Sequence, residues 1–267
     1  MQTPANSAPS CLSDAVVVIA ESASDADRAA AVASELGLER VRERIDGSIH
    51  LVVDQTHVWL EITEGRVATE VHLRFDSPAM MHRRRGGHNE MLGRAIGVKA
   101  DRLPHVFDAT GGLGRDAFVM ADLGCEVTVC ERSPVLAWLL ERAVGHARIS
   151  AHDSVRLAAN RMSVLHGDSV QRTLAGVSVI YLDPMFPERK KTAAVRKDAA
   201  MLQRLAGGEA DPLEPLLSWA LNQDVSRVVV KQPRHAPVLP GKKPSHSING
   251  KSVRFDVFVK PTRVPRE

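Results

Sequence analysis

The C-terminal two-thirds of the chain alternates short apolar runs with segments of helical pattern. The runs have the length and β-branched content of buried strands, and they are Val106–Ala109, Val127–Cys130, Met162–His166, Val177–Leu182 and Val228–Lys231. Strands that alternate with helices build a parallel sheet covered on both faces. The pattern therefore predicts an α/β fold with a doubly wound sheet, which a closing run at Val253–Val259 joins as an antiparallel edge strand.

The N-terminal region has a different pattern. Residues 14–76 begin with a β-branched run, continue with an Ala-rich helix that stops at Gly37, and end in three alternating segments that predict a small meander. We predict a small α+β domain there, a basic connector over 77–89 and the main domain over 90–267. Residues 1–13 are rich in Ser, Pro, Asn and Ala, and we expect a disordered extension.

Composition excludes several classes of protein. The chain has 267 residues, of which 44% are hydrophobic and 25% charged, which is typical of a globular protein. Its apolar runs are shorter than the ~20 residues of a spanning helix, and its start lacks the pattern of a signal peptide. Three cysteines and eleven histidines show no metal-ligand spacing. We therefore expect a cytoplasmic protein with reduced thiols and no metal.

The segment Asp108–Asp116 joins a strand end, a glycine turn and a helix start. Glycines such as Gly112 and Gly114 let the backbone approach a ligand closely, and the helix start presents free N–H groups at the same place. Glu131 closes the next strand about 20 residues later, where a carboxylate can accept both hydroxyls of a ribose. The spacing predicts a nucleotide-type binding site at the carboxyl ends of the strands.

These features leave the cofactor open. Residues 112–117 also satisfy the dinucleotide pattern G-x-G-x-x-A, as an NAD-dependent dehydrogenase would. Asp108, however, would repel a pyrophosphate and attract the ammonium group of a sulfonium cofactor. Asp168 and Ser169 end the third strand, where an adenine contact and a plain helix cap are equally compatible with the sequence.

The fourth strand is followed by the most informative segment, Tyr181–Pro187. An exocyclic amine on a nucleobase is a poor nucleophile because its lone pair is delocalised into the ring. Asp183 and the Pro184 carbonyl can accept its two N–H bonds and so aim the lone pair, while Phe186 can stack on the base. A plain Asp-Pro turn is the alternative, and the position after strand four favours the catalytic interpretation.

These segments resemble the class I methyltransferases that use S-adenosylmethionine (SAM). With the runs His82–Arg84 and Arg254–Asp256, the chain resembles the ribosomal RNA small subunit methyltransferase J family over about residues 70–260. The resemblance implies a Rossmann-like sheet of seven strands with the last antiparallel, SAM as cofactor, and methylation of a guanine N2 in the 16S rRNA of the small subunit. Asp108, Gly112 and Gly114 are already predicted to contact the cofactor. The resemblance implies further cofactor contacts at Arg115, Asp116, Glu131, Arg132, Asp168, Ser169 and Asp183. Asp168 stands where a small hydroxyl residue is commoner in the family.

Basic residues cluster near the predicted site, and we expect them to contact RNA phosphates. They are His82, Arg83, Arg84 and Arg85, then Arg189, Lys190 and Lys191, with Lys231 near a guanine carbonyl or a phosphate. Taken singly, each cluster also fits a solvated surface. Methylation of adenine N6 in a nucleic acid, the dehydrogenase, and an RNA-binding module without catalytic activity remain as alternatives.

Overall fold

The structure is a computed structural model that describes residues 16–84, 88–184, 201–205, 213–237 and 242–260. The described residues fall into two compact units. The first comprises 16–72 and 201–205, and the second comprises the described residues from 73 to 184 and from 213 to 260. The predicted extension over 1–13 lies outside the described residues.

The first unit contains a five-stranded sheet with one helix of eleven residues. The strands are β1 (Val16–Ala20), β2 (Arg40–Val41), β3 (Ile49–Val53), β4 (Val58–Glu64) and β5 (Val67–Val71), in the order β2-β1-β3-β4-β5. Helix α1 (Ala26–Leu36) ends at Gly37, whose φ of 65° is left-handed. The predicted strand, helix stop and antiparallel meander are all confirmed.

The second unit begins with two helices where the sequence predicts a basic connector. Helix α2 (Pro78–Arg84) and helix α3 (His88–Ile96) occupy most of that segment. Met80 and Leu92 are buried in the core of this unit, so their apolar side chains fix the segment in place. The described residues of the predicted connector are therefore helical and packed on the second unit.

The second unit is built on a seven-stranded sheet. Its strands are β6 (His105–Asp108), β7 (Glu126–Glu131), β8 (Met162–His166), β9 (Val179–Leu182), β10 (Arg227–Pro233), β11 (His246–Asn249) and β12 (Val253–Val259), in the order β11-β12-β10-β9-β6-β7-β8. Strands β6 to β10 pair in parallel, and β12 runs antiparallel to β10. This confirms the predicted doubly wound sheet.

One detail of the predicted sheet is wrong. Strand β12 is not at the edge, because β11 pairs with its other side. The segment His246–Asn249 is mostly exposed and polar, so it carries no apolar signal from which a strand could be predicted.

Helices cover both faces of this sheet. They are α4 (Arg115–Asp122), α5 (Pro134–Arg148), α6 (Asp153–Asn160) and α7 (Leu213–Asn222). Val106 and Tyr181 pack in one core with α4, α5 and α6, whereas their neighbours Phe107 and Leu182 pack in a second core with α7. Because the strand order reverses between β6 and β9, the carboxyl ends of these strands flank the crevice in which such folds bind ligands.

The turn into α4 provides a stability test. Gly114 has a φ of 63°, and a Cβ built there would lie 2.5 Å from Leu140 Cδ1. We expect Gly114→Ala to lower the free energy of unfolding by about 1–3 kcal/mol in urea denaturation. Gly145 lies inside α5 with nothing within 4 Å of its built Cβ, so Gly145→Ala should instead stabilise by up to about 1 kcal/mol. Equal effects of the two substitutions would contradict this reading of the turn.

Candidate active site

The glycine turn between β6 and α4 is fixed against the neighbouring strand β7. The Gly111 amide donates to the Cys130 carbonyl at 2.9 Å, and a Cβ on Gly111 would lie 2.8 Å from Val129 Cγ1. Gly112 and Gly114 both have positive φ, of 52° and 63°. Only glycine allows this path without strain, so the turn brings the first N–H groups of α4 to the carboxyl edge of the sheet.

Glu131 joins this turn to the start of the next helix. Its carboxylate accepts the Gly112 amide at Oε2 and the Ser133 amide at Oε1, each at 2.7 Å. The side chain is therefore held at the end of β7, close to the glycine turn. Each carboxylate oxygen can accept more than one hydrogen bond. The predicted contact with ribose hydroxyls is compatible with these bonds and stays a prediction.

Four charged side chains meet where β9 and β10 end, and we call them the ionic cluster: Arg83, Asp116, Lys231 and Asp183. The Lys231 ammonium donates to Asp116 Oδ2 at 2.7 Å and to Asp183 Oδ2 at 2.6 Å. Arg83 forms an ion pair with the other oxygen of Asp116, and the Tyr181 hydroxyl donates to Asp116 Oδ2 at 2.7 Å. Helices α2 and α4 and strands β9 and β10 thus all contribute to one charged centre.

Asp108 lies beside this cluster and adds a third carboxylate. It is 3% exposed, and the Thr110 amide donates to its Oδ1 at 3.0 Å. Burial, with smaller contributions from the charges of Asp116 and Asp183, raises the pKa of Asp108 to about 7. When all three carboxylates are ionised they exceed the two cations by one charge, which favours binding of a cationic group.

Asp183 is held at two points and still reaches solvent. Its amide donates to Thr110 Oγ1 at 2.7 Å, and its Oδ2 accepts from Lys231. In the described part of the chain, nothing hydrogen-bonds its Oδ1, and the side chain is 35% exposed. Burial raises the pKa of the Asp183 carboxyl, and the adjacent Lys231 ammonium opposes this rise. The free oxygen can accept a hydrogen bond from a ligand.

Several predicted site residues lie around this centre in less informative positions. Ser169 is buried and donates to the Ala109 carbonyl at 2.6 Å. Asp168 is exposed, and its Oδ1 accepts from the Val170 amide at 3.1 Å, so in the structure it acts as a helix cap. Arg115 and Arg132 are exposed at the starts of α4 and of the loop after β7. Pro184 is buried, while Phe186, Arg85, Arg189, Lys190 and Lys191 lie outside the described residues.

Three of the predicted RNA contacts have acidic partners within the protein. Arg84 is only 8% exposed, and it forms a two-point ion pair with Asp122 and lies over the Phe118 ring. Arg83 and Lys231 belong to the ionic cluster. These three side chains are paired with carboxylates in the structure, their predicted phosphate contacts stay predictions, and His82 is exposed. Sequence-local charge could not show this, because the acidic partners come from distant segments.

Sequence analysis misses two groups that support the site. Thr110 holds the backbone of Asp183, and Tyr181 holds Asp116. Nothing in the sequence marks these contacts, because each joins residues more than sixty positions apart. Arg254 belongs to the run Arg254–Asp256, which resembles the family. It pairs with Asp256 at 2.9 Å and donates to the Ala236 carbonyl at 3.0 Å. It thereby fixes the loop that follows β10.

The described ranges lack both a metal-binding cluster and a membrane-spanning helix. They contain no group of three or more His, Cys, Asp or Glu side chains arranged to hold a metal ion. They also contain no helix with the length and apolar content needed to span a bilayer.

Comparisons with known proteins agree on a family. A family profile described as "Putative SAM-dependent methyltransferase" matches residues 32–260. A protein of Aeromonas hydrophila named ribosomal RNA small subunit methyltransferase J is 40% identical over 248 residues, which cover 91% of this chain and 97% of the relative. A protein of the same name from Stutzerimonas stutzeri is 40% identical over 85% of this chain and 89% of its own. The crystal structure of a SAM-dependent methyltransferase from Neisseria gonorrhoeae superposes with a TM-score of 0.68 at 30% identity, over 91% of this chain and 95% of that one.

The ion pair between Arg84 and Asp122 should contribute measurably to stability. We expect Arg84→Ala to lower the free energy of unfolding by about 2 kcal/mol, because it removes a largely buried pair and the packing of the arginine stem on Phe118. The matched control is Arg74→Ala, which breaks an exposed pair with Asp76 and should cost less than about 1 kcal/mol. Urea denaturation of both variants measures this, and equal losses would show that Arg84 is not buried as described.

Proposed function

Because the chain belongs to the ribosomal RNA small subunit methyltransferase J family of SAM-dependent methyltransferases, we propose that it methylates the exocyclic N2 of a guanine in the 16S rRNA of the small subunit. It is an enzyme and its cofactor is SAM. The observation that carries the proposed acceptor is Asp183, a carboxylate with one oxygen bound to Lys231 and one without a described partner. A cytoplasmic location, where ribosomal RNA is found, follows from this proposal.

The residues at the carboxyl edge of the sheet fit SAM. Bound SAM supplies a methyl group on a positively charged sulfur, which leaves with the C–S bonding pair as a neutral thioether. We assign its ammonium group to Asp108 and its ribose hydroxyls to Glu131, with the backbone of the glycine turn 111–114 close against it. Arg115, Asp116, Arg132, Asp168 and Ser169 are the further proposed contacts. For Asp116 the contact would come from its backbone, because its carboxylate is only 7% exposed and already accepts from Arg83, Lys231 and Tyr181.

Asp183 and Pro184 would orient the amino group of the base. The N2 lone pair forms the new bond to the methyl carbon, so positive charge develops on that nitrogen until one N–H proton passes to the Asp183 carboxylate or to water. A carboxylate that accepts one N–H hydrogen bond stabilises this charge, and the Pro184 carbonyl would accept the other. Phe186 would stack on the base, an interaction worth ~1–3 kcal/mol in single-stranded sites. These roles account for the order acid, proline, aromatic after the fourth strand.

The alternatives are weaker. Membership of a SAM-dependent methyltransferase family argues against an NAD-dependent dehydrogenase and against an RNA-binding module without catalytic activity. Adenine N6 is also an exocyclic amine that Asp183 could orient. Identification of the methylated nucleoside distinguishes this acceptor from guanine N2. For the RNA we keep His82, Arg85, Arg189, Lys190 and Lys191 as proposed phosphate contacts. Arg83, Arg84 and Lys231 would have to exchange their acidic partners for phosphates, so they are weaker candidates for that role.

The role of Asp183 is tested by Asp183→Asn. The variant keeps the shape but loses the anion, and we expect kcat to fall by about 10²–10³-fold, as for the loss of one donor or acceptor at a developing charge. The measurement is transfer of tritium from labelled SAM to small-subunit RNA, followed by nucleoside analysis for N2-methylguanosine. Asp153→Asn, which alters a 78% exposed carboxylate in α6, is the matched control. Unchanged turnover of Asp183→Asn would refute the role, and N6-methyladenosine would refute the guanine acceptor.

The role of Asp108 predicts a pH dependence of cofactor binding. Its pKa of about 7 means that the carboxyl is mostly protonated at pH 5.5 and half ionised at pH 7. The ammonium group of SAM stays protonated over this range. We therefore expect the affinity for SAM, measured by calorimetry, to rise about tenfold from pH 5.5 to pH 7. Asp108→Asn should bind more weakly and lose this dependence, and an identical slope in the variant would exclude Asp108 from the ammonium site.

A further inference from the structure

Lys231 lies between two carboxylates that belong to different parts of the proposed site. Asp116 is in the first turn of α4, next to the glycine turn, and Asp183 follows β9. We propose that Lys231 is a positioning residue that keeps Asp183 ionised and, by holding its Oδ2, presents its Oδ1 to the amino group of the base. The proposal rests on the proposed function and deepens it, because it explains how one carboxylate is set up to orient an amine.

The geometry of the strands places Lys231 at this point. In the parallel pairing of β9 and β10, Val230 is in register with Leu182, so Lys231 comes level with Asp183. The ammonium carries three N–H donors, and two of them reach Asp116 Oδ2 at 2.7 Å and Asp183 Oδ2 at 2.6 Å. The lysine side chain is 16% exposed, so surrounding atoms restrict its movement. Lys231 therefore binds one defined oxygen of Asp183.

Asp116 acts as the fixed anchor for Lys231. Its other oxygen pairs with Arg83, and Tyr181 donates to the same Oδ2 that Lys231 contacts. Three donors from α2, β9 and β10 thus hold one carboxylate that is only 7% exposed. With Asp116 held in this way, the lysine ammonium has a constant position from which to hold Asp183.

Removing the lysine charge would change the protonation of the site. Among the described residues, the ionisable groups that face Asp183 are Lys231 on β10, Asp116 on α4, Arg83 on α2, Asp108 on β6 and Tyr181 on β9. Without Lys231, this described set would leave the Asp183 carboxylate with two acidic neighbours, Asp108 and Asp116, and with Arg83 as its cation. Burial and like charges then both raise the pKa of Asp183. A protonated Asp183 is a poorer acceptor for the amino group.

The experiment compares pH profiles of kcat/KM between pH 5 and 9 for the wild type, Lys231→Met, Lys231→Arg and the double variant Asp116→Asn/Lys231→Met. Activity is tritium transfer from SAM to small-subunit RNA, and SAM affinity is measured in parallel. In Lys231→Met we expect the acidic limb to move up by about one pH unit or more, so that activity at pH 6 falls about tenfold or more and recovers in part as the pH rises. Lys231→Arg should keep the wild-type limb at reduced kcat, because it retains the charge but not the compact ammonium.

The double variant separates this role from a structural one. Removing the charge of Asp116 should move the limb of Lys231→Met back towards the wild-type position. A lysine that only supported packing would reduce activity equally at every pH, and that result, or an unshifted limb, would overturn the proposal. If Lys231→Met does not fold, as judged by its circular dichroism melting curve, Lys231→Gln makes the same test with a polar side chain. Failure of the wild type to methylate the RNA would refute the proposed function instead.

Discussion

The central constraint in this structure is that the carboxyl ends of β6, β9 and β10 lie side by side. Each of these strands, or the helix that follows it, delivers a charged group to one place: Asp108, Asp183, Lys231 and, through the glycine turn, Asp116. Carboxylates at such short range are stable as anions only with cations between them. Lys231 and Arg83 supply these cations, so the fold and the charge balance of the site depend on each other.

The sequence predicts the parts of the fold whose signal is local. Buried strands such as β9 are continuous apolar runs, and the turn 111–114 needs glycines, so both are readable without a structure. Strand β11 could not be predicted, since its polar residues are ordered by pairing with β12. The partner of Arg84 could not be predicted either. Its charge alone indicates a phosphate contact, whereas in the folded chain it pairs with Asp122. Local patterns thus identify site residues but not their partners.

The position of Asp183 was predictable and its electrostatic state was not. The acid after the fourth strand is marked by its prolines, whereas its ion pair depends on the register between β9 and β10. A shift of that register by one residue would turn Lys231 to the other face of the sheet. Asp168 differs from Asp183. The same residue types are compatible with a helix cap and with an adenine contact, and in the structure Asp168 caps the helix.

The charge balance of the site also affects how strongly each state of the proposed reaction is bound. With Asp108, Asp116 and Asp183 ionised, the carboxylates exceed the cations by one, so a ligand carrying positive charge is attracted. Methyl transfer removes the charge on sulfur and develops a charge on the amino nitrogen, which lies by proposal at Asp183. The attraction of the carboxylates thus passes from the cofactor to the reacting base during the transfer, and the neutral thioether product is held less strongly. The same excess of negative charge therefore stabilises the bound cofactor and the transition state more than the thioether product.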